Sequence, residues 1–150
     1  MHTRRNGWIG GLLIACLVCL NAGCSSKGPT GPERVPTFPV KGQVLVDGAP
    51  AGSLQVILNP NGTPPVPTLI SAMTDAEGKF TIGTYESNDG APAGEYKATF
   101  EWKPLNMMTG RYEGSDKLND RYKEPAKSEV SVSVTEGSDT DLGEIKLTTK

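Results

Sequence analysis

Thr74-Asp75-Ala76-Glu77-Gly78-Lys79-Phe80-Thr81-Ile82 is the stretch whose reading decides the fold. Asp75 to Gly78 make a short polar turn, and Gly78 suits a positive-φ position because it has no Cβ to clash with the backbone. After the turn, Phe80 and Ile82 alternate with Lys79 and Thr81. Residues two apart share one face of a strand, so this is the pattern of a strand buried on one side. A second strand of this kind follows Gly94. It carries Tyr96, Ala98, Phe100 and Trp102 on one face and Glu95, Lys97, Thr99 and Glu101 on the other. The two are expected at the centre of a β-sandwich, with Asp75, Gly78 and Phe80 as its structural turn.

Five more segments alternate in the same way. Val40, Val44 and Val46 mark a first strand, in which Gly42 signals a bulge or a close approach. Asp47-Gly48 turns the chain into a second strand at Leu54, Val56 and Leu58, and Leu69 to Thr74 is a third. Between these two, Pro60 to Pro67 reads as a loop because proline cannot donate to a ladder. Val130, Val132 and Val134, then Leu142, Ile145 and Leu147, close the set. About seven strands with turn signals between them predict an all-β fold, an antiparallel β-sandwich. The connection from Lys103 to Lys127 is long for a compact domain, and such loops are commonly functional. A helical turn is expected over Asp116 to Tyr122, packing Leu118 and Tyr122 inward. Arg111, Tyr112, Asp116 and Asp120 form the candidate binding loop.

Thr-Asp-x-x-Gly-x-Phe at 74–80, followed by Pro92-Ala93-Gly94-Glu95-Tyr96, resembles the carboxypeptidase regulatory-like domain, a small transthyretin-like sandwich. Val40-Lys41-Gly42-Gln43-Val44, Asp47-Gly48-Ala49-Pro50 and Arg121-Tyr122 with Pro125 extend the resemblance over roughly residues 38 to 150. The whole chain is similar to short bacterial lipoproteins that carry one such domain. The resemblance implies a folding or docking role rather than turnover. Its motifs are turn and core motifs, which specify a fold more closely than a function.

The N-terminus has a different character. Residues 1–23 read as a lipoprotein signal peptide: Arg4 and Arg5, then Trp8 to Leu20 without a charge, too short to span a bilayer comfortably. The three cysteines, at 16, 19 and 24, all lie at this end. Cys24 follows Ala22-Gly23 and precedes Ser25-Ser26, which resembles a lipobox, although Asn21 stands where leucine is usual. The resemblance implies a covalent lipid on Cys24, and two or three acyl chains there suffice for stable anchoring. Two alternatives stay open, anchoring at Cys16 and a cleaved leader with incidental cysteines. Residues 24–39 hold six glycines and prolines from Gly28 to Pro39 and read as a tether, at most about 50 Å long when extended. The domain proper is 40–150. Ser25 after the anchor resembles the signal for an outer membrane, in a cell that has one.

Without the leader, 13 basic residues face 17 acidic ones, a net charge of −4 with the signs interspersed. No basic block marks a nucleic-acid surface, so no nucleic-acid partner is expected. The only histidine is His2, in the leader. Histidine-dependent triads, and the usual zinc, copper and haem sites, are therefore not available to residues 25–150. No cofactor beyond the lipid is expected. These observations lead to an exported, lipid-anchored, non-catalytic binding or structural module at the cell envelope. Its expected partners are the membrane, through the anchor, and an envelope protein or polysaccharide. Two other classes are carried beside it. A calcium-assisted carbohydrate binder would use Asp75 and Glu77, or Glu86 and Asp89. A glycan hydrolase would use carboxylates alone.

Overall fold

The computed structural model describes residues 34–150; the leader, Cys24 and the tether to residue 33 lie outside the described residues. The described strands, in chain order, are β1 Thr37–Phe38, β2 Val40–Val46, β3 Ala49–Pro50, β4 Gln55–Pro60, β5 Ile70–Met73 and β6 Lys79–Thr81. They continue with β7 Ala91–Pro92, β8 Gly94–Glu101, β9 Leu105–Asn106, β10 Arg111–Tyr112, β11 Ser131–Val134 and β12 Thr140–Leu147. Among the described residues, one 3-10 turn covers Pro125–Lys127. All seven strands expected from alternation are present, and the five others are two-residue pairings.

The strands form an all-β sandwich. One sheet runs β11-β8-β4-β5, and the other runs β12-β2-β3 with β6 also paired to β2. The core lies between their apolar faces, where Val44, Val56, Leu58, Phe80, Tyr96 and Phe100 are buried. Every buried side-chain nitrogen and oxygen among the described residues has a hydrogen-bond partner. Tyr96 illustrates this: its hydroxyl donates to the Pro92 carbonyl at 2.7 Å, and burial raises its pKa above the ordinary tyrosine value.

The centre of the sandwich differs from the expectation. β8 is central, flanked by β4 and β11, but β6 pairs only with β2 and stands at an edge. The reason is local. After Thr81 the chain leaves for the other sheet, where Gly83 and Ser71 exchange two backbone hydrogen bonds of 3.0 Å. The pairing is also not antiparallel throughout: β12 lies parallel to β2, with Ile145 opposite Val44 and a register shift between Asp141 and Glu144. The polar face assigned to β8 is incomplete as well. Thr99 is buried, and its hydroxyl accepts from Asn59 Nδ2 at 2.9 Å.

Residues 34–39, read as the end of the tether, are held against the sandwich. Phe38 pairs with Ala91, Val35 N–H donates to the Tyr85 hydroxyl at 3.0 Å, and Arg34 bridges Glu86 at 2.8 Å. Proline spacing excludes a long strand here, yet the two residues between Pro36 and Pro39 suffice for one pairing. β1 meets the chain just before β8 begins, so residues 34–38 reach the sandwich at that end of β8.

Candidate functional site

The Asp75 turn is a strut. Asp75 Oδ1 accepts from the Glu77 and Lys79 amides at 3.0 and 2.8 Å, and the Gly78 amide donates to the Asp75 carbonyl at 3.0 Å. Gly78 has φ +74°, and a Cβ there would overlap the Val44 carbonyl oxygen and press on the Ala51 amide. Thr74 clamps the same region from inside. Its hydroxyl donates to the Ala51 carbonyl at 2.6 Å and accepts from the Leu54 amide at 2.8 Å. Phe80 completes the arrangement, its ring lying against the Cα side of Gly42 in the register partner position. That is the close approach which Gly42 permits.

The candidate binding loop divides in two. Arg111 and Tyr112 sit on a hairpin, β9–β10, which projects just beyond the end of β8. Asp116 is buried. Asp116 Oδ1 accepts from the Trp102 and Leu118 amides at 2.7 and 3.1 Å, and Oδ2 accepts from the Asp120 amide at 3.0 Å. A carboxylate holding three amides is a structural anchor, so Asp116 does not belong to a binding surface. Asp120 is exposed, 3.8 Å from Lys123. No helical turn forms over Asp116 to Tyr122, because Asn119 and Asp120 both have φ +56°. The packing expected of that segment is present all the same. Leu118 is fully buried, and Tyr122 meets Phe100 edge-to-face at 6.4 Å while its hydroxyl accepts from the Thr148 amide at 3.1 Å.

Residues that the alternation pattern passed over make up the hairpin tip. Met107 and Met108 are 85% and 97% exposed, with Leu105 and Tyr112 beside them at 43% and 44%. Asn106 shapes the loop: its carbonyl accepts the Gly110 amide at 2.8 Å, and its Oδ1 accepts the Met108 amide at 2.9 Å. Glu113 ties the base, accepting from Asn106 Nδ2 at 2.6 Å and Thr109 Oγ1 at 2.9 Å. A local signal existed, since Asn106 and Gly110 bracket three residues between Leu105 and Tyr112.

Several of the loop and strand acids, some of those named for calcium among them, are engaged. Asp89 accepts the Thr84 amide at 2.6 Å and the Tyr85 and Glu86 amides at 3.1 Å each, closing the loop before β7. Glu101 pairs with Lys103 at 2.6 Å, and that hydrogen bond, with the carboxylate's charge, raises the Lys103 pKa above the ordinary lysine value. Asp47 fastens the C-terminal residues, accepting from Thr149 Oγ1 at 2.6 Å and Thr148 Oγ1 at 2.8 Å. Those bonds lower its pKa. Among the described residues no three His, Cys, Asp or Glu side chains are grouped so as to hold a metal ion. Cys24 lies outside the described residues.

No family model and no curated protein matches the chain. Among solved structures it is similar to a DUF3823 family protein from Parabacteroides merdae, at 16% identity and a TM-score of 0.40 over 77% of this chain. It is also similar to a 9R-lipoxygenase from Cyanothece (14%, TM-score 0.38, 75% of this chain) and to an (S)-allantoin synthase (15%, TM-score 0.41, 75%). The chain spans less than half of each of these proteins: 46%, 16% and 41% of their lengths. No activity passes from these proteins to the chain.

Proposed function

We propose that the chain is a lipid-anchored, exported β-sandwich, similar to the carboxypeptidase regulatory-like domain, that acts as a non-catalytic binding module at the cell envelope. Cys24 carries the lipid, the residues after it space the domain from the membrane, and the β9–β10 hairpin meets an envelope protein. One observation supports this reading above the others. Residues 34–38 join the sandwich where β8 begins, and the hairpin with Met107 and Met108 leaves it where β8 ends, eight residues later. A strand of that length separates the two by roughly 25 Å. The apolar tip thus faces away from the end at which the N-terminal segment arrives. Exposed, unbranched methionines adapt to apolar pockets of differing shape, which suits a protein partner.

Metabolic labelling with a clickable fatty acid tests the anchor, and a photo-crosslinking side chain at Met108 tests the tip. Label is expected in the wild type and absent in Cys24→Ser. Adducts are expected from position 108 and not from Lys79, which is exposed on β6. Label that persists in Cys24→Ser, or equal adducts from both positions, would overturn the corresponding half of the reading.

A further inference from the structure

On one flank of the sandwich the edge of β8 changes partner. The Ala98 amide donates to the Val130 carbonyl and the Phe100 amide to the Tyr122 carbonyl, each at 3.0 Å. The residues between 122 and 130 loop away through the 3-10 turn at Pro125–Lys127, and Ser128 Oγ returns to the Ala98 carbonyl at 2.5 Å. This detour leaves a cleft of about 310 Å³ between β8 and the end of β12. Its apolar lining is the half-buried Tyr122 and Val130, with the edges of the buried Phe100 and Leu147. Its rim is mostly cationic, with Arg121, Lys127 and Lys146 against a single acid, Glu129.

The three cations are not equally engaged. Lys127 is held by Glu124 at 2.9 Å, and Lys146 lies 3.8 Å from Glu144 in an exposed pair of little strength. Arg121 has no carboxylate partner among the described residues, and its guanidinium stands 5.9 Å from the centre of the Tyr122 ring. Among the described residues it is thus an unpaired planar cation at the lip of a partly apolar cleft, and its forked donors match the two oxygens of a carboxylate. The volume is at the small end of the range for ligand pockets.

We propose that this cleft binds a small amphipathic carboxylate, an aryl or short alkyl group ending in a carboxylate. The apolar body lies on Tyr122 and Val130, and Arg121 takes the carboxylate with Lys146 beside it. Polarity and charge are matched at the two ends, so an apolar neutral molecule or a small inorganic anion satisfies only half of the site. The hairpin takes no part in this binding, which therefore stands or falls separately from the proposed envelope partner.

The test is a titration of the isotopically labelled full chain with 1-naphthoate, followed by amide chemical shifts, beside 1-naphthalenemethanol as the neutral counterpart. The expected result is a saturable set of shifts confined to the surroundings of Phe100, Tyr122, Val130 and Leu147. The neutral compound should bind about tenfold more weakly, and Arg121→Gln should weaken naphthoate by a similar factor, the worth of one charge-assisted contact. Arg121 is exposed, so this variant retains the fold, and unchanged shifts elsewhere verify it. Shifts that fail to saturate, shifts centred elsewhere, equal binding of the alcohol, or an unaffected Arg121→Gln would each overturn the proposal.

Discussion

Two turns in this molecule follow one plan and serve in different surroundings. Asp75 and Asp116 each accept the amides two and four residues ahead, and in each the amide three residues ahead donates to the aspartate's own carbonyl at 3.0 Å. The third residue has positive φ in both, +74° at Gly78 and +56° at Asn119. The Asp75 carboxylate is exposed, whereas Asp116 is buried and also holds the Trp102 amide fourteen residues back. The third positions differ too. Gly78 is wedged against backbone, while Asn119 is exposed and donates to the Thr149 carbonyl at 3.1 Å. An acid in a loop is therefore a strut or a site according to whether its oxygens already hold partners, and its neighbours in sequence do not decide which.

Three experiments press on this comparison. Asp116→Ala should have the largest effect, about 3 kcal/mol of unfolding free energy, because three amides lose a buried acceptor. Asp75→Ala should cost only about 1 kcal/mol, since solvent replaces the carboxylate. Denaturant unfolding of both decides the matter, and equal losses would break the distinction. Gly78→Val should cost nearly as much, about 3 kcal/mol, from left-handed strain and overlap with backbone. Asn119→Gly should cost less than about 1 kcal/mol, since glycine accepts the same φ and loses only an exposed bond. Melting midpoints that move together would mean the two third positions are equivalent.

The smallest effect concerns the far end of the Asn119 contact. Thr149 is also held by Asp47, whose folded pKa is depressed by the bonds from Thr149 and Thr148. A depressed carboxylate stabilises the folded state fully above its unfolded pKa of about 4 and loses that effect as pH falls through the lower folded value. The Thr149 amide signal should therefore titrate with a midpoint below about pH 4, and Asp47→Asn should abolish the transition. A midpoint at or above that value would show that the clasp does not form.

Where burial and period agree, the sequence was legible: the valines of β2 and β11 and the apolar face of β8 stand on the core as alternation requires. The Asp75 turn was legible for a further reason, as Gly78 announces a positive φ. Asp116 was not, because Asn119 carries no such announcement and the decisive partner, the Trp102 amide, is distant in the chain. Pairing direction was hidden as well. Alternation records which side of a strand is buried and is silent on which neighbour it joins, so the parallel β12–β2 pair and the edge position of β6 left no trace. The Met107–Met108 tip escaped because two adjacent apolar residues fit neither period. The polar assignment of Thr99 failed because a threonine looks solvated until a partner such as Asn59 is known.

The parallel seam between β2 and β12 sets an order of events. Thr140 lies opposite Val40, a hundred residues apart along the chain, and the pairing runs on to Leu147 opposite Val46. Closing so long a loop carries an entropic penalty that only the completed seam repays. A chain emerging from its N-terminus can assemble the β4–β5 hairpin early. The first long strand must nonetheless wait, one edge bare, until residues 140–147 are available to pair with it. Topologies of this kind fold slowly, and their unpaired edges are the exposed places in the interval. Until then Val40 to Val46 present a row of backbone groups that have no neighbour on that side.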